Sequence, residues 1–159
     1  MKKKTTLEII GRSELVSLYS ISFEMDGTTE FKKFVAEFEH SATYNGDYQR
    51  IIAALQAILR FGALERFFRP EGKMKDNLAA VPIEGGMLRL YCLRISEEIV
   101  ILGNGGVKTT RAYEEDSKLY GYVMDLKRFE KVLYDCLRTG LVSIEERELT
   151  GIDDYTFEI

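Results

Sequence analysis

The 159-residue chain has a single histidine, His40, and only two cysteines, Cys92 and Cys136. One histidine excludes a multi-histidine metal centre and any mechanism that uses two histidines as acid and base. No serine stands in a recognisable arrangement with that histidine, so a hydrolase triad has no support. Cys92 and Cys136 each sit inside an apolar pattern, which predicts reduced core thiols, not a disulfide or half of a metal site. No apolar run approaches the roughly 18 residues that a membrane helix needs. Met1-Lys2-Lys3-Lys4 is basic, but Thr5-Thr6-Leu7-Glu8 follows where an export signal would need an apolar stretch. The expectation is a cytoplasmic protein without a membrane partner. The chain also lacks internal repeats, low-complexity tracts and any linker that would divide it.

With 45% hydrophobic and 30% charged residues, the composition is globular, and the length fits one domain over residues 1–159. The net charge of −4 is the wrong sign for a simple nucleic-acid binder. A local basic patch can still act on phosphate. The acid is concentrated in the tail, where Glu145, Glu146, Glu148, Asp153, Asp154 and Glu158 face only Arg147. Residues 1–14 read as a short extension. Residues 141–159 read either as a solvated appendage or as an acidic cover for a basic face.

Between these ends the pattern alternates clearly. Leu15 to Phe23 reads as a strand with Leu15, Tyr19, Ile21 and Phe23 on one face. After Asp26-Gly27, Thr28 or Thr29 caps a helix carrying Phe31, Phe34, Val35 and Phe38. Asn45-Gly46-Asp47 reads as a turn into a second helix, whose stripe runs from Tyr48 to Leu59 and stops at Gly62. Arg69 to Asn77 is a punctuated loop. Three closely spaced strands follow, Leu78–Ile83, Met87–Ile95 and Glu98–Leu102, which predicts an antiparallel meander. Ile99-Val100-Ile101-Leu102 is apolar on both faces and predicts a central, doubly covered strand. A long helix spans Asp116 to Thr139 before Gly140, with Glu114-Glu115-Asp116 favouring its dipole, and Tyr155–Ile159 can add a short strand. The predicted fold is α+β: a twisted antiparallel sheet of one N-terminal strand and a meander, packed by two N-terminal helices and one long C-terminal helix.

Gly103-Asn104-Gly105-Gly106 lacks the Walker spacing and does not open a helix, so it predicts a strand end needing positive φ, not a phosphate loop. A small-ligand regulator built on these glycines is the weakest functional reading. The turn delivers Lys108-Thr109-Thr110-Arg111-Ala112-Tyr113 to the sheet edge, a cationic, hydroxyl-rich and aromatic segment suited to phosphate and base. Arg89 and Arg94 flank Leu90-Tyr91-Cys92-Leu93 at an odd spacing, which places them on opposite faces, so one of them at most can join a site on the sheet. Arg66, Arg69, Lys73 and Lys75 read equally as a solvated loop.

Phe68-Arg69-Pro70-Glu71-Gly72, Leu88 to Arg94, Ile99 to Gly103 and Val107 to Tyr113 together resemble the RelE/ParE/HigB toxin superfamily, and within it the HigB-like, phage Gp49-like branch. The specific part of the resemblance spans Arg69 to Tyr113. It implies a RelE-like fold and the toxin of a type II toxin–antitoxin system, a metal-independent endoribonuclease that cuts messenger RNA, usually on the ribosome, and needs no cofactor. The implied partner is a cognate antitoxin of the helix-turn-helix type. Carried over, Lys108 and Arg111 stabilise phosphate charge and Arg89 or Arg94 supplies a further cation. Tyr91 or Tyr113 stacks on a base or handles a proton, while Arg69 and Lys73 hold the RNA backbone. The alternative is a RelE-like interaction module that has lost catalysis and binds an antitoxin-like protein. The acidic balance and the tail depart from the family's small, basic ribonucleases.

Overall fold

A computed structural model describes residues 2–71, 77–82 and 84–159. Lys73 therefore lies outside the described residues, as does Ile83. The chain folds as α+β around one mostly antiparallel sheet. Its strands are β1 (Lys4–Arg12), β2 (Ser17–Phe23), β3 (Arg69–Pro70), β4 (Leu78–Val81), β5 (Leu88–Arg94), β6 (Ile99–Val107) and, near the end, β9 (Phe157–Glu158). The order across the sheet is β3-β4-β5-β6-β2-β1-β9, and only β2 and β6 run parallel. Helices α1 (Glu30–Phe38) and α2 (Asn45–Phe61) cover one face, and α3 (Ser117–Thr139) covers the other. A separate hairpin of β7 (Ser143–Glu145) and β8 (Glu148–Thr150) follows α3.

Local chemistry fixes the helix ends. Thr29 caps α1 by accepting from the Lys32 N–H at 3.1 Å, and Asp116 caps α3 by accepting from Lys118 and Leu119. Gly140, at φ 83°, stops α3 in the left-handed region. Alternation then sorts the strands. Tyr91, Leu93, Ile99 and Ile101 turn toward Leu119, Val123, Leu126, Phe129 and Leu133 of α3. Leu88, Leu90, Cys92, Val100 and Leu102 turn toward Phe34, Ile51, Leu55 and Ile58 of α1 and α2. Each such fully buried side chain contributes about 1.5–3 kcal/mol of hydrophobic stabilisation. Both thiols are free and buried.

Several boundaries depart from the sequence reading. Residues 4–12 are not an extension: they form β1, paired along β2 with a bulge between Ile9 and Gly11. Leu15 stands outside the strand face assigned to it and is 47% exposed. Asn45-Gly46-Asp47 is the first turn of α2, entered through Ser41, whose Oγ accepts from the Tyr44 N–H. The acidic tail is neither an appendage nor a cover. Leu149, Ile152, Phe157 and Ile159 are buried beside α3, and β9 pairs with β1 at the sheet edge opposite β3.

The glycine run is the sharpest correction. Gly103, Gly105 and Gly106 lie inside β6, are buried and have no positive φ. A Cβ on Gly103 would stand 2.9 Å from Leu126 Cδ1, and one on Gly105 only 1.9 Å from the Arg89 carbonyl oxygen. These glycines permit close approach of α3 and of β5, and they form no ligand loop.

Candidate active site

The β5–β6 ladder shifts register between Leu90, opposite Gly105, and Cys92, opposite Leu102. Tyr91 alone therefore faces two residues of β6, Gly103 and Asn104, a β-bulge of the kind that re-aims side chains beside functional sites. Asn104 stabilises the bulge from within: its Oδ1 accepts from the Gly105 N–H at 2.7 Å, and its Nδ2 donates to Glu30 at 3.4 Å. On the α3 face, the bulge leaves Arg89 and Tyr91 side by side.

Arg89 is 8% exposed. Its Nη1 donates to the carbonyls of Leu88 and Gly86 at 3.0 Å and of Gly85 at 3.4 Å. That turn is in turn held by Asp47 of α2, which accepts from the N–H groups of Met87 at 2.8 Å and Leu88 at 3.2 Å. Arg89 Nε is buried without a partner. In the same neighbourhood two more buried polar atoms share this condition, Tyr91 Oη and Glu71 Oε1; Ser17 Oγ and Glu30 Oε2 likewise lack a hydrogen bond elsewhere in the described residues. Glu71 follows β3, with its N–H bonded to the Leu78 carbonyl.

The charges of these groups are mutually felt. Burial raises the Glu71 carboxyl above the ordinary carboxylate range, and the cations Lys108, Arg69 and Arg89 offset that only in part. Burial lowers Arg89, with Arg69 adding to the effect. Burial raises the Tyr91 phenol, and Glu71 raises it further, so Tyr91 keeps its proton as a donor. Tyr113 packs edge-on against Tyr91 at 6.3 Å, and its hydroxyl accepts from Lys127 at 3.3 Å.

Five of the residues selected from sequence therefore gather here: Arg69, Arg89, Tyr91, Lys108 and Tyr113. Arg111 is exposed on the loop after β6, next to Thr110, whose hydroxyl donates to the Ala112 carbonyl. Arg94 does not join them. It points to the other face, where its Nε donates to the Ala63 carbonyl at 2.6 Å and its guanidinium lies 4.0 Å from Glu65, tying β5 to the segment after α2. Tyr91 is 0% exposed and so cannot stack on a base. Sequence reasoning gave no role to Glu71, although its two-residue spacing from Arg69 was a signal that carboxylate and guanidinium share a side of an extended segment.

What the arrangement offers is a buried carboxyl of raised proton affinity among three cations and a phenol. Such a set can take up a proton and bind an oxyanion. Among the described residues, no group of three or more His, Cys, Asp or Glu side chains is placed to hold a metal ion, and no helix is long and apolar enough to cross a membrane. The chain matches no protein-family model, no curated protein and no solved structure.

Proposed function

We propose that the chain is a RelE-like toxin: an endoribonuclease of messenger RNA that a helix-turn-helix antitoxin holds in check in the cytoplasm. The observation that carries this reading is the convergence of three unpartnered buried polar atoms, Glu71 Oε1, Arg89 Nε and Tyr91 Oη, in one cluster with Lys108 and Arg69. Buried polar groups are nearly always paired, and a knot of orphans marks a place built for chemistry or a ligand. The order of elements supports the same reading. Two strands, two helices, the β3-to-β6 strands and a long helix contain the strand, helix pair, meander and long helix that the resemblance implies, with β1 and β9 added at one sheet edge.

In this mechanism the Glu71 carboxylate takes the proton of a ribose 2′-hydroxyl as the oxygen attacks the adjacent phosphorus. The bond from phosphorus to the 5′-oxygen breaks, and that oxygen leaves with a proton from the Lys108 ammonium. Arg89, fixed by its three carbonyls, acts from inside the sheet through its charge, while Lys108 faces the charge growing on the phosphoryl oxygens. Arg69 and Arg111 reach solvent and hold the chain of the substrate. The products carry a 2′,3′-cyclic phosphate and a 5′-hydroxyl. Expression in a bacterial host is expected to arrest growth, and Lys108→Ala with Arg111→Ala to relieve the arrest. An intact chain that neither slows growth nor produces cyclic-phosphate ends in RNA would overturn the assignment.

A second reading rests on one observation: Arg89 and Tyr91 are sealed from solvent. The same fold then serves as a binding module for an antitoxin-like protein. Recovery of a stable protein complex together with absence of RNA cleavage selects it.

A further inference from the structure

Strand β1 keeps an open side along most of its length. Lys3 and Ile159 exchange two backbone hydrogen bonds, the Lys3 N–H to the Ile159 carbonyl at 2.6 Å and the Ile159 N–H to the Lys3 carbonyl at 2.9 Å. In an antiparallel pair the groups that face one neighbour recur at every second residue, so Thr5, Leu7 and Ile9 turn their N–H and C=O groups to the same side. β9 meets only Lys4 and Thr5 there. The strand runs on to Arg12, and among the described residues nothing pairs with the outward groups of Leu7 and Ile9. A concavity of about 600 Å³ lies along this stretch, lined by Leu7, Glu8, Ile9 and Arg12 on one side and by residues 148–153 on the other. Tyr19 ties that second wall to the sheet, its hydroxyl accepting from the Leu149 N–H at 2.9 Å. Three carboxylates line the groove, Glu8, Glu148 and Asp153, against the guanidinium of Arg12. Arg12 is paired with Glu148 at 2.7 Å, while Glu8 and Asp153 have no ion pair among the described residues.

We infer that this groove takes an extended, basic segment of a partner protein, which adds to the sheet beside β1 where β9 ends. Main-chain bonds to Leu7 and Ile9 hold such a segment, and its alternate side chains make it selective. The residue opposite Glu8 falls on the face of the Glu8 carboxylate, where a lysine or arginine pairs with it. The residues on either side of it fall on the other face, beside Ile9, which is 41% exposed, and the wall that carries Asp153. An open edge by itself pairs with any extended chain. Here the bulge between Ile9 and Gly11 limits the usable stretch, and the carboxylates repel acidic strands. A second copy is the poorer occupant, because its β1 brings Glu8 with it and both chains carry a net charge of −4. The groove lies at the sheet edge opposite β3, so the inference stands apart from the ribonuclease reading.

The test uses the full chain and a fluorescein-labelled eight-residue peptide of alternating lysine and valine, with a peptide of alternating glutamate and valine as its counterpart. Fluorescence anisotropy reads affinity, and amide hydrogen exchange followed by NMR reads the strand edge. The lysine peptide should bind and slow exchange of the Leu7 and Ile9 amides by about tenfold or more, and the glutamate peptide should do neither. Glu8→Lys combined with Asp153→Lys should weaken binding by about tenfold. Ile9→Pro removes the outward N–H and leaves the ladder to β2 its donors, so it should weaken binding as well. Circular dichroism checks the fold of each variant. The lysine variant, changed only at exposed side chains, carries the test if proline disturbs the strand. Absence of binding, equal binding of both peptides, or binding that leaves the Leu7 and Ile9 amides unprotected would overturn the inference. Dimers in sedimentation, with these amides protected before any peptide is added, would overturn it by placing a second copy in the groove.

Discussion

Replacing Glu71 by glutamine should make the protein more stable while removing its activity. The side chains are nearly isosteric, and glutamine reproduces the uncharged form of the carboxyl. Burial disfavours the charged form of Glu71, and Lys108, Arg69 and Arg89 do not fully compensate. The folded protein therefore holds this proton more tightly than the unfolded chain does. Below the unfolded value both states are protonated and Glu71 costs nothing. As pH rises from there through the folded value, stability falls, and above it the loss is complete. Each tenfold difference in proton affinity between the two states amounts to about 1.4 kcal/mol. Glutamine avoids that loss, so the variant should be the more stable at pH 7.5, each kcal/mol gained raising the melting temperature by about 2–4 °C for a chain of this size. Urea melts of both proteins at pH 4 and pH 7.5 measure the difference directly. The gain should appear at pH 7.5 and shrink toward pH 4. A variant that loses stability by a similar amount at both pH values would show that Glu71 is a structural ion-pair anchor, and the proton-transfer role would go with it.

Four further substitutions probe the frame around the site. Gly105→Ala places a methyl 1.9 Å from a backbone oxygen and should cost about 3 kcal/mol or more, whereas Gly103→Ala meets only the movable end of Leu126 and should cost about 1–2 kcal/mol by thermal melting. Gly121→Ala, inside α3 with nothing within 4 Å of the new methyl, should stabilise by about 0.8–1 kcal/mol, and a loss would show that this glycine serves an unrecognised contact. Arg94→Met should cost about 1–2 kcal/mol through the lost bond to Ala63 yet leave RNA affinity unchanged.

The parts of the fold that local chemistry dictates were legible in the sequence. Thr29, Gly62, Asp116 and Gly140 mark helix ends because caps are satisfied within a few residues. The doubly apolar Ile99–Leu102 announced a covered central strand, and so it lies between β5 and β2 with helices on both faces. What was hidden depended on distant partners. β1 mixes charge, threonine and a bulge, so its alternation is weak until β2 lies beside it. The β6 glycines read as a turn because their reason, the approach of Leu126, Leu119 and the Arg89 carbonyl, comes from other elements. Alternation did place Arg89 and Arg94 on opposite faces, but which face held the site required knowing where Glu71 falls.

The parallel pairing of β2 with β6 has a consequence for how the molecule assembles. Ser17 meets Ile99, and Ser20 meets Leu102, across about 80 residues of chain. Closing a loop of that length costs about 2 kcal/mol more entropy than closing the short turns of the β4-β5-β6 meander. The meander is thus free to form first, with β2 and its partner β1 joining afterwards. The strands that carry Arg89, Tyr91 and the root of Lys108 belong to the early half. The constellation can be in place while the acidic end of the chain is still unfolded, and a partner that binds the nascent meander would meet the site before the sheet is complete.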